Sequence, residues 1–234
     1  MEKVILIHGM AVNKKFFKYT ENYLLKKEYE VFNIDYQSIK GLNINIFEWM
    51  LNNLIGRDRA HIIGHSLGSL IALYYGIQHA KKIKSLVLVN SDPKGFRKSE
   101  ENMIKSSINL LKSCFSNKKK LHFKEIVRLF YHNINENKFN EIKEMISKNR
   151  VVNIVEQLFL LNYLRLKLNF KELRIPALVL LGENDPLVNK ELVLNDLNNF
   201  KNYFVKTYKN TWHAIPYERP KKFHRDITIF LENQ

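Results

Sequence analysis

The chain alternates short apolar runs with amphipathic stretches, and this alternation constrains the fold more than any other feature of the sequence. Runs such as LVLV at 86–89 and ALVLL at 177–181 are apolar at every position, which is typical of strands buried on both faces of a sheet. Strands that alternate with helices form βαβ units around a parallel sheet. The sequence therefore predicts an α/β fold with a mostly parallel sheet of about six strands.

The positions of the predicted elements follow from the spacing of the apolar residues. Strands are expected at Lys3 to Ile7, Glu30 to Ile34, Ala60 to Ile63, Ser85 to Val89, Ala177 to Leu181 and Tyr203 to Thr207. Helices are expected between them, around 14–27, 43–55, 67–79, 190–199 and 218–232. Between 92 and 170 only helical spacing is found, around 99–116, 121–132, 137–148 and 151–167.

This helical stretch interrupts the α/β alternation once. We interpret residues 1–93 and 171–234 as an α/β core and residues 94–170 as a helical lid inserted after the strand that ends near Val89. A plain helical extension of the core is the alternative. Because 234 residues can bury one large core, we expect a single domain.

The apolar runs and the cysteine content favour a soluble protein of the cytoplasm. The first apolar run, Val4 to Ile7, is too short for the core of a signal peptide, and no run approaches the length of a membrane span. Cys114 is the single cysteine, so an internal disulfide and a cysteine-based metal site are excluded. We expect a cytoplasmic monomer that uses no metal and no other cofactor.

The net charge of +15 is concentrated in one part of the chain. Residues 94–174 hold 18 Lys and Arg against 8 Asp and Glu, a net of +10, which leaves +5 for all the other residues. Basic protein surfaces can bind nucleic acid, but the sequence contains no recognised nucleic-acid motif. The 29 Lys against 9 Arg, with abundant Asn, also fit the codon bias of an AT-rich genome. We therefore expect no nucleic-acid partner.

Residues suited to catalysis follow the predicted strands, at the edge of the sheet where open α/β folds bind ligands. HGM follows the first strand, GHSLG the third, GENDPLV the fifth and NTWHAIP the last. In GHSLG, Ser66 stands where strand turns into helix, and its flanking glycines lack the side chains that would clash in so tight a turn. The motifs together supply Ser66, Asp185 and His213 in that chain order.

These motifs resemble those of the α/β-hydrolase superfamily, and the resemblance spans nearly the whole chain. It implies that Ser66 is a nucleophile, that His213 is its general base and that Asp185 orients the imidazole. It also implies an oxyanion hole formed by the backbone N–H groups of Met10 and Leu67. A serine nucleophile argues against the dehalogenases and epoxide hydrolases of the superfamily, which use aspartate at this position.

The chain also departs from the superfamily pattern. The usual D-x-P-G-x-G-x-S stretch after the second strand is replaced by DYQSIKG, and the sequence begins at the HG strand without the preceding hairpin. We therefore expect a trimmed hydrolase fold.

Alternatives exist for the acid and for the histidine. Glu183 lies two residues before Asp185, but Asp185 fits the superfamily spacing G-x-x-D. His8 and His65 flank the site and suit structural or loop-orienting roles. His224 falls within a terminal helical pattern, whereas His213 lies in a loop after a strand.

Within the superfamily, two stretches resemble the pimeloyl-acyl-carrier-protein methyl ester esterases of biotin synthesis. They are LNFKELRIPALVLLGENDPLVNKELV and WHAIPYERPKKF. The resemblance implies a serine carboxylesterase that forms an acyl-enzyme and acts on an ester carried by an acidic acyl carrier protein. A basic lid would suit such a partner, since opposite potentials speed encounter.

The residues predicted for these roles are of two kinds. Candidate docking residues are Lys124, Arg128, Lys138, Arg150 and Arg165, with a solvated helix face as the alternative for each. Candidate lining residues of an acyl channel are Phe96, Phe130, Tyr131, Phe159 and Leu187, with packing against the core as the alternative.

The same motifs fit other functions. Short-chain carboxylesterases, acyl thioesterases and menaquinone-pathway lyases share the same motifs, because specificity depends on lid contacts that spacing does not reveal. A catalytically silent binding protein with this fold is a further alternative of a different class.

Overall fold

The computed structural model describes residues 1–92, 134–168, 173–197 and 202–234. Six strands form one sheet in which every neighbouring pair is parallel, in the order β2-β1-β3-β4-β5-β6. The strands are β1 (Lys3–Ile7), β2 (Glu30–Ile34), β3 (Ala60–His65), β4 (Ile83–Val89), β5 (Ala177–Gly182) and β6 (Tyr203–Tyr208). The predicted α/β fold with a six-stranded parallel sheet is confirmed.

Eight α-helices are found in the described part of the chain. They are α1 (Lys18–Leu25), α2 (Ile44–Ile55), α3 (Leu67–Gln78), α4 (Glu136–Ser147), α5 (Val151–Lys167), α6 (Lys190–Leu197), α7 (Ile215–Glu218) and α8 (Pro220–Leu231). The helix predicted at 14–27 is divided, because a 3-10 turn at Lys14–Phe17 precedes α1. The helix predicted at 218–232 is found as α8, with Pro220 in its first turn, and the short helix α7 before it was not predicted.

The sheet separates two hydrophobic cores. One core contains Phe47 of α2 and Ile71 of α3, and the other contains Leu24 of α1 and Phe223 of α8. The strands between them are fully buried over the whole of β3 and β5, as expected for central strands covered on both faces.

Helices α4 and α5, which lie between β4 and β5 in the chain, connect these two cores. Ile142 of α4 and Ile154 near the start of α5 belong to the core under α1 and α8. Leu161 and Leu164, further along α5, belong to the core under α2 and α3. Helix α5 therefore passes from one layer of the fold to the other. The division into a core and a lid at 94–170 stays a prediction, and much of that segment lies outside the described residues.

Within the ranges that the structure describes, no helix is long and apolar enough to cross a lipid bilayer.

Candidate active site

The candidate site lies at the carboxyl ends of the strands. From β1 the chain first forms β2 on one side and then β3 on the other, so β1 and β3 flank the point where the strand order reverses. Open α/β sheets bind ligands at such a point. Ile7, the last residue of β1, pairs with Gly64 of β3, so the HGM loop and Ser66 leave the sheet side by side.

Ser66 occupies a strained turn between β3 and α3. Its backbone has φ 53° and ψ −118°, a conformation that costs a non-glycine residue about 1–3 kcal/mol. A side chain on Gly68 would overlap the carbonyl oxygen of Ile7, and one on Gly64 would overlap that of Gly68. The tight turn predicted from GHSLG is therefore present, and it depends on both glycines.

Asp185 and His213 form a buried pair. Asp185 follows β5 and His213 follows β6, and Oδ2 of Asp185 lies 2.8 Å from Nδ1 of His213. The other carboxylate oxygen accepts hydrogen bonds from the backbone N–H groups of Leu187 at 2.8 Å and Val188 at 3.2 Å. These contacts orient the carboxylate, so the proton of the imidazole lies on Nδ1 and Nε2 is the basic nitrogen. The side chains of the pair are 1% and 2% exposed.

The His213 loop is held by hydrogen bonds from three side chains. His65 Nε2 donates to the carbonyl of His213 at 2.7 Å. Asn90, which follows β4, donates from Nδ2 to the carbonyl of Trp212 at 2.9 Å and accepts from the N–H of Gly182 at 2.6 Å. The carboxylate of Glu218 accepts from the N–H groups of Trp212, at 3.0 and 3.1 Å, and of Ala214 at 3.2 Å.

Asn90 and Glu218 are positioning residues that the motifs did not reveal. Burial raises the pKa of Glu218, against the opposing effect of its two backbone donors. A signal for Asn90 exists in its place directly after a buried strand, where its positive φ of 46° suits asparagine better than most residues. The sequence gives no such signal for Glu218, because the backbone N–H groups that it binds are brought to it only by the path of the folded loop.

The predicted oxyanion donors Met10 and Leu67 belong to the segments that follow β1 and β3. Leu67 is the first residue of α3, and the first N–H groups of a helix have no acceptor within the helix. Met10 follows Gly9, and a side chain on Gly9 would lie 3.1 Å from Cβ of Ser66. Leu67 and the loop that carries Met10 therefore border the serine, and an oxyanion role for their N–H groups stays a prediction.

The alternative acid and bases have other partners. Glu183 is exposed and accepts from the N–H of Asn210 at 3.1 Å. The ring of His8 stacks on Tyr36 at 3.9 Å, with Nδ1 2.8 Å from the carbonyl of Gly9. His224 lies on α8, where its ring stacks on Tyr23 at 4.5 Å. None of these contacts involves the Asp185 carboxylate.

The predicted lining and docking residues are only partly described. Phe96, Phe130, Tyr131, Lys124 and Arg128 lie outside the described residues. Leu187 is buried and lines a cavity of about 360 Å³ together with Asp185, whereas Phe159 is 71% exposed on α5. Lys138 donates to the carbonyl of Tyr217 at 2.6 Å, Arg150 is exposed before α5, and Arg165 is half-buried. In the described ranges no three His, Cys, Asp or Glu side chains form a metal-binding group.

Residues 44–220 match the sequence pattern of the alpha/beta hydrolase fold family. The chain belongs to this family. The match covers most of the sheet, the serine turn and the loops that carry Asp185 and His213. The predicted α/β-hydrolase fold is therefore confirmed.

Individual relatives of this α/β hydrolase are distant. It is 23% identical over 199 residues to the 2-hydroxy-6-oxononadienedioate/2-hydroxy-6-oxononatrienedioate hydrolase 2 of Pseudomonas putida, which covers 82% of this chain and 69% of that one. An esterase from Exiguobacterium antarcticum superposes with a TM-score of 0.84 at 17% identity, covering 99% and 92% of the two chains. A thermophilic esterase from Thermogutta terrifontis gives 0.82 at 16% identity, covering 100% and 90%. At these identities the structures share the fold.

Proposed function

We propose that this α/β hydrolase is a serine carboxylesterase that works through an acyl-enzyme. The observation that carries the proposal is the 2.8 Å hydrogen bond between Asp185 and His213, on loops at the same end of the sheet as the strained Ser66 turn. An imidazole oriented by a buried carboxylate supplies the base that a serine nucleophile needs.

The proposed reaction has two halves. Oγ of Ser66 bonds to the acyl carbon while its proton passes to Nε2 of His213, and the N–H groups of Met10 and Leu67 stabilise the negative oxygen. The bond to the alcohol then breaks, and the alcohol leaves with the proton from His213. In the second half, water attacks the acyl carbon while its proton passes to Nε2 of His213. The bond to Oγ of Ser66 then breaks, His213 returns the proton to Ser66, and the acid is released.

A substitution of Ser66 tests this proposal. Ser66→Ala is expected to abolish hydrolysis of short p-nitrophenyl esters and labelling by a fluorophosphonate probe, with an unchanged melting temperature. Ser147→Ala, in an exposed residue at the end of α4, is the matched control and should keep both activities. Full ester turnover by Ser66→Ala would contradict the nucleophile assignment, and a wild-type protein that neither hydrolyses nor labels would be a binding protein.

For the substrate, we propose the methyl ester of a pimeloyl chain held by an acidic acyl carrier protein. The resemblance of the two segments around Asp185 and His213 to the biotin-pathway esterases supports it, as does the basic charge of 94–174. Among the described docking candidates, Arg150 is exposed. The ammonium of Lys138 is already bonded to a backbone carbonyl and Arg165 is half-buried, so both are less available than Arg150.

Charge reversal distinguishes carrier docking from general esterase activity. Arg150→Glu should slow hydrolysis of the carrier-bound ester several-fold more than that of a small neutral ester. The reason is that the acidic carrier is attracted by the positive charge at residue 150, whereas a neutral ester is not. Lys27→Glu is the matched control, since Lys27 is exposed and lies between α1 and β2, at the amino ends of the strands and away from Ser66. Equal effects of Arg150→Glu on both substrates would argue against docking.

Hydrolysis of a 2-hydroxy-6-oxononadienedioate is a second candidate, supported by the similarity to the Pseudomonas putida hydrolase that is named for this substrate. The same site would then act on that compound. A screen of the purified protein against that substrate, the carrier-bound methyl ester, short esters and acyl thioesters separates the candidates. The substrate with the highest kcat/KM identifies the activity.

A further inference from the structure

The loop that carries the proposed oxyanion donor Met10 is bonded to the helices between β4 and β5. Ala11 follows Met10 and has a positive φ of 64°, which L-residues rarely adopt. Its N–H donates to Oε1 of Gln157 on α5 at 2.9 Å. Its carbonyl accepts from Nδ2 of Asn149, between α4 and α5, at 2.6 Å. Both backbone polar groups of this unusual residue are therefore held by side chains from the helical segment.

Gln157 is rigidly placed for this contact. It is fully buried, and it lies on the same face of α5 as Ile154 and Leu161, which pack into the two cores. The amide oxygen of Gln157 must face Ala11, because the Ala11 N–H requires an acceptor. A flipped amide would place its NH2 group against this N–H, and two donors form no hydrogen bond.

The other end of the Gln157 amide brings no visible gain in stability. Nε2 is buried and has no hydrogen-bond partner among the described residues. A buried donor without a partner is unfavourable, and an apolar side chain of similar shape would avoid it. The amide is therefore explained by what its oxygen does for Ala11.

We propose that Gln157 is a positioning residue that sets the direction of the oxyanion donor; the inference rests on the proposed serine hydrolase function. The Ala11 N–H belongs to the peptide between Met10 and Ala11, so the bond to Gln157 holds that peptide plane. A held plane restricts the rotation of Met10 and thereby aims the Met10 N–H towards the carbonyl that Ser66 attacks. The helical segment therefore orients an oxyanion donor in addition to bordering the site.

Two substitutions of Gln157 test the role of its oxygen. Gln157→Met keeps the shape but removes the acceptor, and we expect kcat for a short p-nitrophenyl ester to fall about 10- to 100-fold with KM nearly unchanged. Binding of a trifluoromethyl ketone, which forms an oxyanion on Ser66, should weaken in proportion. Gln157→Glu retains an oxygen acceptor and should recover most of the lost kcat.

Asn153→Leu is the matched control. Asn153 is buried one turn earlier on α5, but its amide donates to the carbonyl of Gln37 and does not touch Ala11. This variant should lower the melting temperature and leave the kcat of the folded protein unchanged. If kcat followed the melting temperature across all three variants, or if Gln157→Met kept full kcat, the positioning role would be wrong.

Amide hydrogen exchange supplies a readout that does not depend on turnover. The Ala11 N–H should exchange slowly in the wild type and in Gln157→Glu, and much faster in Gln157→Met. Unchanged protection in Gln157→Met would overturn the inference even if the protein proved to be a binder. Conversely, protection could be lost in Gln157→Met while ester turnover proves independent of Ser66. That result would support the hydrogen bond between Gln157 and Ala11 and contradict the proposed function.

Discussion

The imidazole of His65 donates from Nε2 to the backbone carbonyl of His213 at 2.7 Å, linking the serine turn directly to the histidine loop. Burial, followed by the nearby His213, lowers the pKa of His65 well below its usual value, so the ring is neutral. The ring also stacks on Phe16 at 4.4 Å. His65 therefore joins the serine turn to the histidine loop through this hydrogen bond, and the contact with Phe16 holds its ring in place.

Replacing His65 with leucine should impair turnover more than stability. Without the donor, the carbonyl of His213 loses its partner and the loop can shift, and small displacements of a catalytic base cost about 10- to 100-fold in rate. Steady-state kinetics and thermal melts would measure the two effects. His61→Leu is the control, because His61 is equally buried but bonds to Ser85 in the sheet. A kcat that falls equally in both variants would contradict the prediction.

Gly68→Ala should strongly destabilise the fold. The new methyl group would overlap the carbonyl oxygen of Ile7, so α3 would have to move away from β1, at a cost of about 3 kcal/mol in the free energy of unfolding. Gly41→Ala provides the comparison, since Gly41 has φ 66° and open space around it, and only the backbone penalty of about 1 kcal/mol applies. Urea denaturation measures both. Similar losses in the two variants would show that the close approach of α3 to β1 is unimportant.

Protonation of the buried His224 should lower the free energy of unfolding in mild acid. Burial lowers the pKa of His224 from 6.5 to about 4, so the folded state binds fewer protons than the unfolded chain between these values. The stabilising contribution of the neutral ring is complete above pH 6.5 and is lost as the pH falls through about 4. Melting temperatures recorded over this range should decline more steeply for the wild type than for His224→Phe, which keeps the ring contact with Tyr23. Parallel declines would exclude His224 as the cause.

Much of the fold could be predicted from local patterns. The periodicity of the apolar residues predicted all six strands to within two residues at each end, and it predicted α5 at its observed bounds of Val151–Lys167. Such patterns work because burial on one or both faces of an element is written into its own residues. The 3-10 turn within 14–27 and the short helix α7 were missed, since elements this short leave the apolar spacing nearly intact.

The sequence by itself determined the strands, the order of Ser66, Asp185 and His213, and their places after strand ends. Only the tertiary structure decided which of these residues meet. The strand order puts β1 beside β3 and β5 beside β6, which brings Met10 to Ser66 and Asp185, rather than Glu183, to His213. Gln157 reaches Ala11 across 146 positions of chain. Such contacts depend on how distant elements pack, and the periodicity of a single element carries no record of its neighbours.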